Sequence, residues 1–221
     1  MNDIIIAIDG PSASGKSTVS KAVAKSLNFV YVDSGSLYRA VTWFALKKNI
    51  INSDPQKIIN ELNKSNLIFF NQNNKIDLSI DNFQLNKELR SKLVRENVAQ
   101  IASKTIIRSF VVSELRKFKS FGNLVIEGRD IGSVVFADAK YKFYLHADLI
   151  ERANRRYREL IEAGENENAK QVLESISNRD KIDSTRDKDP LVIPSGAKVI
   201  DSTQMSLSEV VAYIVNEVNY D

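Results

Sequence analysis

The sequence predicts an α/β protein: a P-loop three-layer sandwich whose central parallel five-stranded sheet carries helices on both faces, with a small antiparallel-sheet insertion and a short helical lid. Three observations predict it. Short apolar runs rich in β-branched residues alternate with segments of helical period. The first run, I-I-I-A-I at 4–8, passes directly into G-P-S-A-S-G-K-S at 10–17, which meets G-x-x-x-x-G-K-[ST] at every fixed position. The most charged helical stretch, E-R-A-N-R-R-Y-R at 151–158, falls between the last two predicted strands.

Taken in order, residues 4–8 read as a strand buried on both faces. Gly10 and Gly15 let the loop turn so that successive N–H groups point inward, and a helix opening near Lys16 adds its positive dipole end. Val19, Val23 and Leu27 continue that helix at helical spacing. Gly10, Pro11, Ser12, Ala13, Ser14, Gly15, Lys16, Ser17 and Thr18 are the predicted phosphate cradle. Lys16 reaches for the β- and γ-phosphates, and the Ser17 hydroxyl ligates Mg²⁺.

F-V-Y-V at 29–32 reads as a second strand, followed by D-S-G-S-L-Y-R at 33–39. Ser34 or Ser36 is the expected cap of a helix with Leu37, Val41, Phe44 and Ala45 on its apolar face. Asp33 and Arg39 face the crevice at the strand ends, or else act as a capping Asp and a solvated Arg. From about 52 to 75 the composition shifts to Asn, Lys and Ser. Ile58, Ile59 and Leu62 predict a short helix; L-I-F-F at 67–70 and K-I-D-L-S-I at 75–80, around a polar turn, predict a half-exposed hairpin. A helical segment from about 86 places Leu89, Leu93, Val94, Val98 and Ile101 on one face, so roughly 60–100 is an insertion carrying a small sheet; helix resumes through 108–117.

L-V-I at 124–126 is a third buried strand, ending in E-G-R-D-I-G. An apolar strand closing on a carboxylate suits the second half of a phosphate site, with Asp33 or Glu127 near Mg²⁺ through water. Residues 142–146 and 198–201 complete the five strands, and Asp201-Ser202-Thr203 is the expected cap of a C-terminal helix through Val218. Between them Arg152, Arg155, Arg156 and Arg158 lie within two helical turns, Gly164 allows a bend, and a second helix leads to R-D-K-I-D-S-T-R at 179–186. This is either a solvated charged hairpin or a mobile lid whose arginines meet phosphates.

Composition narrows the chemistry. The chain has no cysteine, so disulfides, thiolate nucleophiles and Cys-ligated zinc are excluded. His146 is the only histidine, which excludes multi-His metal sites and makes a structural role its expected one. A net charge of +3, from 31 basic and 28 acidic residues, is too mild to predict nucleic-acid binding. The phosphate motif follows the first residues at once and no apolar run approaches the ~18 residues of a membrane span, so a cytoplasmic protein without signal peptide or membrane partner is expected. A guanine-selecting Asn/Thr-Lys-x-Asp and an Asp-x-x-Gly are both missing, against a switch GTPase; the size disfavours an assembly ATPase. What remains is phosphoryl transfer from ATP to a small acceptor held by arginines.

The motifs I-D-G-P-S-A-S-G-K-S at 8–17, D-S-G-S-L-Y-R at 33–39, E-G-R-D-I-G-S-V-V-F-A-D-A at 127–139, E-R-A-N-R-R at 151–156, N-R-D-K-I-D-S-T-R at 178–186 and I-D-S-T at 200–203 together resemble the bacterial cytidylate kinases, a branch of the nucleoside monophosphate kinase family. The resemblance implies a single kinase unit: a core (1–33, 104–150, 187–221), a monophosphate-binding region with its insertion (34–103) and a lid (about 151–186). It implies ATP and Mg²⁺ as cofactors, CMP and dCMP as acceptors and a monomer; kinases of UMP or shikimate, or a non-enzymatic ATP-binding module, are the alternatives. By matching position, Ser34, Arg39, Arg129 and Arg186 would hold the acceptor phosphate, Arg108 and Asp130 would read cytosine, and Arg179 and Asp183 would grip the ribose. Lys16, Arg129, Arg152, Arg156 and Arg186 would stabilise the transferring group. One position departs from the pattern: relatives often carry serine nine residues before the equivalent of Arg108, where this chain has Ala99, with Gln100 or Ser103 as substitutes.

Overall fold

A computed structural model describes residues 3–219; the ends of the expected core, 1–2 and 220–221, lie outside the described residues. Strand β1 (Ile5–Asp9) is buried along its whole length, as is β6 (Leu124–Gly128), the strand paired to it in parallel. The other core strands are β2 (Val30–Asp33), β7 (Tyr141–His146) and β8 (Lys198–Asp201), and the parallel order is β2-β6-β1-β7-β8. Alternate residues of β1 feed opposite cores. Ile5 and Ala7 pack with Leu37, Val41, Phe44 and Val111, while Ile6 and Ile8 pack with Val19, Val23, Phe143 and Ile214. Helices α1 (Lys16–Leu27) and α8 (Leu207–Asn219) cover the second face; α2 (Ser34–Lys47), α3 (Pro55–Leu62) and α5 (Thr105–Arg116) cover the first. Because β1 stands between β6 and β7, its carboxyl end is the point where the chain order reverses, the position at which open α/β sheets bind ligands.

The insertion is tied to this sheet. Strands β3 (Leu67–Gln72) and β4 (Lys75–Ile80) form the antiparallel hairpin, and the two-residue β5 (Phe83–Gln84) adds to β4. Tyr31 pairs with Lys75, and its N–H donates to the Asn74 carbonyl at 2.8 Å, so the hairpin extends the core sheet beyond β2. The tight turn needs two left-handed residues, Asn73 and Asn74, a conformation asparagine tolerates better than most.

Three local expectations change. The helix predicted from 86 is broken: a 3₁₀ turn, Glu88–Arg90, stops at extended Ser91 (ψ 153°), and α4 (Lys92–Ala102) starts afresh. The break resets the helical register, so Val94, Val98 and Ile101 are buried while Leu93 is 62% exposed. The cap of α2 is Asp33, which accepts from the Ser36 N–H and hydroxyl; Ser34 lies inside the helix and donates to the Glu127 carbonyl at 2.6 Å. A carboxylate offers more lone pairs than a hydroxyl and takes both donors. The last helix starts at Leu207 behind a Ser206–Glu209 capping box, whereas Asp201 binds Thr203 within the preceding loop. The Arg-rich stretch forms α6 (Leu149–Glu162) and α7 (Ala169–Thr185), a helical hairpin with its own small apolar seam of Ala153, Leu160, Val172 and Ile176. Among the described residues no helix is long and apolar enough to cross a membrane.

Candidate active site

The loop between β1 and α1 is built to approach other backbone closely. A Cβ at Gly10 would sit 2.1 Å from the Leu145 carbonyl oxygen of β7, and Ala13 and Gly15 both have positive φ. Gly15 offers α1 no side-chain cap, so the first N–H groups of that helix remain for a ligand. Lys16 folds back over the loop: its Nζ donates to the Pro11 carbonyl at 2.5 Å and to Ser14 Oγ at 3.2 Å. Burial, then the neighbouring Arg129, holds its ammonium well below the ordinary lysine range. Ser17 and Thr18 are exposed at the start of α1.

Three acids surround the loop. Asp9, at the end of β1, is fully buried and accepts from the N–H groups of Ile131 (2.8 Å) and Gly132 (2.7 Å). It thereby fixes the π-helical turn Ile131–Val135 that follows Arg129 and Asp130. Glu127 accepts from the Tyr31 hydroxyl at 2.7 Å, and burial followed by the Asp33 charge raises its carboxyl. Burial opposes ionisation of Asp33 as well, but Arg39, paired with it, and the Ser36 contact hold it below the ordinary carboxylate range.

Beyond the loop, Arg129 just after β6, Arg179 of α7 and Arg186 just past the end of α7 converge on Asp183, a buried residue of α7. Arg129 Nε donates to its Oδ2 at 3.0 Å and Arg186 Nη1 to its Oδ1 at 3.2 Å, and Arg179 Nε stands 4.0 Å from Oδ2. Burial would raise Asp183, but Arg129, Arg179 and Arg186 outweigh it and hold the carboxyl down. Arginine N–H groups remain in excess. Arg39 Nε, Arg179 Nε and Arg186 Nη2 are buried without a hydrogen-bond partner. Arg179 drops to about 10, through burial first and then the like charges of Arg129 and Arg39. Buried guanidinium donors in excess of the one carboxylate beside them suit an anionic ligand.

On the far side of this cluster, Arg108 is buried at 1% exposure, its guanidinium 5.4 Å from the Tyr38 ring centre. It pairs with Asp130 and, through Nε at 3.2 Å, with Asp189; Nη1 donates to the Ala102 carbonyl at 3.2 Å. Burial pushes Asp130 up against the pull of Arg108 and Arg186. Ala99 is half-buried, Gln100 is exposed, and Ser103 gives its hydroxyl to the Gln100 carbonyl at 2.8 Å.

The helical hairpin closes over the loop. Arg152 Nη1 donates to the Ser12 carbonyl at 2.9 Å and pairs with Asp180, which in turn accepts from the Ser12 N–H at 2.9 Å. Arg155 reaches the Ser202 carbonyl at 2.7 Å beside Gly15. Arg156 instead pairs with Glu159 at 3.0 Å on the helix surface. At the tip of the hairpin Glu165 meets Arg95 of α4 in a two-pronged pair of 2.7 and 2.5 Å, joining the hairpin to the insertion. Most predicted site residues therefore gather around the loop and Asp183, while Arg156 stays on the helix surface. Asp9, Asp180 and Asp189 carry contacts that sequence reading did not single out, and Arg155, named there only among the hairpin arginines, binds the Ser202 carbonyl. Asp9 alone had a local signal, an apolar strand ending in an acid, the same one that picked out Glu127.

Asp9 supplies a pH prediction. Its carboxyl is raised from 3.8 to about 7, chiefly by burial, so between those values the folded state holds a proton that the unfolded state has lost. Its contribution to stability is full below about 4 and fades as pH rises through 7. Asp9→Asn cannot titrate. The melting-temperature gap between wild type and variant should therefore be widest near pH 4–5 and narrow towards pH 8; a constant gap across a pH series of thermal melts would contradict the assignment.

With this geometry in view, comparison with known proteins is direct. A sequence model described as cytidylate kinase matches residues 6–220. The chain is similar to a cytidylate kinase of Clostridioides difficile, 41% identical over 219 residues that cover 99% of this chain and 100% of the relative. It is also similar to that of Fusobacterium nucleatum, 40% identical over 223 residues, covering 99% and 98%. A crystal structure of an uncharacterised protein from Eubacterium ventriosum superposes with a TM-score of 0.52 at 13% identity, covering 99% of each chain, which is a likeness of fold alone. A family match across nearly the whole chain, with relatives of full length at 40% identity and above, establishes that the chain belongs to the cytidylate kinase family.

Proposed function

We propose that this protein transfers the γ-phosphoryl group of ATP to CMP and dCMP. The observation that carries the reading is the excess of buried arginine N–H groups at Arg39, Arg179 and Arg186, one crevice away from a loop shaped for a nucleoside triphosphate. Gly10 to Thr18 hold the donor phosphates. Ser34, Arg39, Arg129 and Arg186 hold the acceptor phosphate, Arg179 and Asp183 the ribose, and Arg108 with Asp130 the base. Cytosine suits the last pair because its amino group donates to a carboxylate and its ring nitrogen and carbonyl accept from a guanidinium.

The oxygen donors Ser17, Asp33 and Glu127 suit a hard divalent cation. No group of three or more His, Cys, Asp or Glu gathers as a metal cage among the described residues, so Mg²⁺ would be carried mostly by phosphate and water, with Ser17 contacting it and Asp33 or Glu127 acting through water. When bound, it supplies charge neutralisation on the phosphates. An acceptor phosphate oxygen attacks the γ-phosphorus in line; the bond to the β–γ bridging oxygen breaks, and ADP leaves with its electron pair. The residues contribute position and positive charge, and no strong base is required. Lys16 exchanges its loop partners for phosphate oxygens, and Arg152 and Arg156 complete the lid over residues 151–186, excluding water as a competing acceptor.

In this reading the core comprises 1–33, 104–150 and 187–221, and 34–103 is the monophosphate-binding region. The protein works as a cytoplasmic monomer on small nucleotides, without nucleic acid. The test is ADP formation from Mg²⁺-ATP with CMP, dCMP, UMP, AMP, GMP and shikimate in turn. CMP and dCMP should give the highest kcat/KM; a higher value for UMP or shikimate would reassign the acceptor, and no acceptor-dependent ADP would discard the kinase reading.

A further inference from the structure

The side edge of a guanidinium, Nε–H together with Nη2–H, is a natural fork for the two oxygens of one carboxylate. In this protein the fork of Arg108 is divided. Nε donates to Asp189 Oδ2 at 3.2 Å while Nη2 pairs with Asp130 Oδ2. Asp130 Oδ1 lies 4.0 Å from Arg186 Nη2, beyond hydrogen-bond distance. The division leaves one Asp130 oxygen free of the arginine fork.

Asp189 is held for this task at some local cost. Its φ is +50°, a left-handed conformation uncommon outside glycine, and it immediately precedes Pro190, which disfavours helical backbone at that position. Strain of this kind persists where the surroundings over-determine it. Here the Asp189 carbonyl accepts from Arg186 Nε at 2.7 Å, so one residue fixes an arginine of the anion cluster through its backbone and Arg108 through its side chain.

We propose that Asp189 is a positioning residue for acceptor-base selectivity: by taking the Nε edge of Arg108, it prevents Arg108 from closing on both oxygens of Asp130 and so keeps one of them as the acceptor for an exocyclic amino group. Uracil, which presents a carbonyl there, gains nothing from that oxygen. The proposal rests on the reading of Arg108 and Asp130 as the base-facing pair.

The test compares Asp189→Gly, which keeps the left-handed backbone and loses the carboxylate, with Asp189→Asn, which keeps an acceptor oxygen, and includes Asp130→Asn in the same series. kcat/KM is measured for CMP and UMP at saturating Mg²⁺-ATP, and KM for ATP separately. Asp189→Gly should lower the CMP-to-UMP ratio about tenfold, mostly through KM for CMP. KM for ATP should stay within about twofold, and Asp189→Asn should recover most of the ratio. A folded glycine variant with an unaltered ratio, beside an Asp130→Asn variant whose ratio falls, would overturn the role of Asp189 alone. If Asp130→Asn also leaves the ratio unchanged, the base-facing reading falls and the proposal falls with it. Should the glycine variant not fold, Asp189→Ala is read in the same way.

Discussion

Lys16→Ala is expected to lower kcat for CMP phosphorylation by about three orders of magnitude, without loss of folded protein. The lysine is nearly buried, its ammonium is depressed by burial and by the nearby Arg129 and Arg179, and its partners are a loop carbonyl and a loop hydroxyl. None of these compensates a full charge as a phosphate would. The protein therefore carries a cation that Glu127 and Asp9 only partly offset, and in the proposed reaction donor phosphates would favour it. Removing it relieves desolvation and like-charge repulsion, so the melting temperature of the variant should equal or exceed that of wild type. Steady-state kinetics and a thermal melt check both halves; a folded variant with kcat within about tenfold of wild type would refute the placement of Lys16 at the transferred group.

The second large effect concerns the acceptor. Asp130→Asn should cut kcat/KM for CMP about a hundredfold and leave that for UMP nearly unchanged, because the amide nitrogen that replaces one carboxylate oxygen donates where cytosine also donates. The same substitution leaves Arg108 with Asp189 as its remaining carboxylate at 1% exposure, which should cost roughly 1–3 kcal/mol of stability. Measuring both acceptors together with chemical denaturation separates the two consequences. Equal losses for CMP and UMP would point to a purely structural Asp130.

The aspartates near the site illustrate how far local reading reaches. Asp130 and Asp183 entered through motif resemblance, and the fold pairs them with Arg108 and with Arg129, Arg179 and Arg186. Asp9 had a local signature in the strand that ends on it. Asp180 and Asp189 had none: a surface-like charge in a helix and a loop residue before proline acquire partners 168 and 81 positions away. Leu93 was misplaced for the opposite reason, since one extended serine broke a helix whose period ran on past it.

Sequence by itself determined what short-range physics controls. Buried strands are written as apolar runs, the loop as glycines flanking a lysine, and the order of strands and helices as their alternation, so the layered α/β fold and the glycine loop between β1 and α1 were legible from a few residues at a time. Only the tertiary structure decided which charges meet. Ion pairs within reach of one crevice depend on the crossovers that bring α2, β6 and α7 together, and no local pattern encodes whether an arginine finds one carboxylate, two, or none. That is why the excess of arginine donors, the divided fork of Arg108 and the grip of Asp9 on the π-helical turn belong to the fold, while Gly10 to Ser17 could be read directly from the chain.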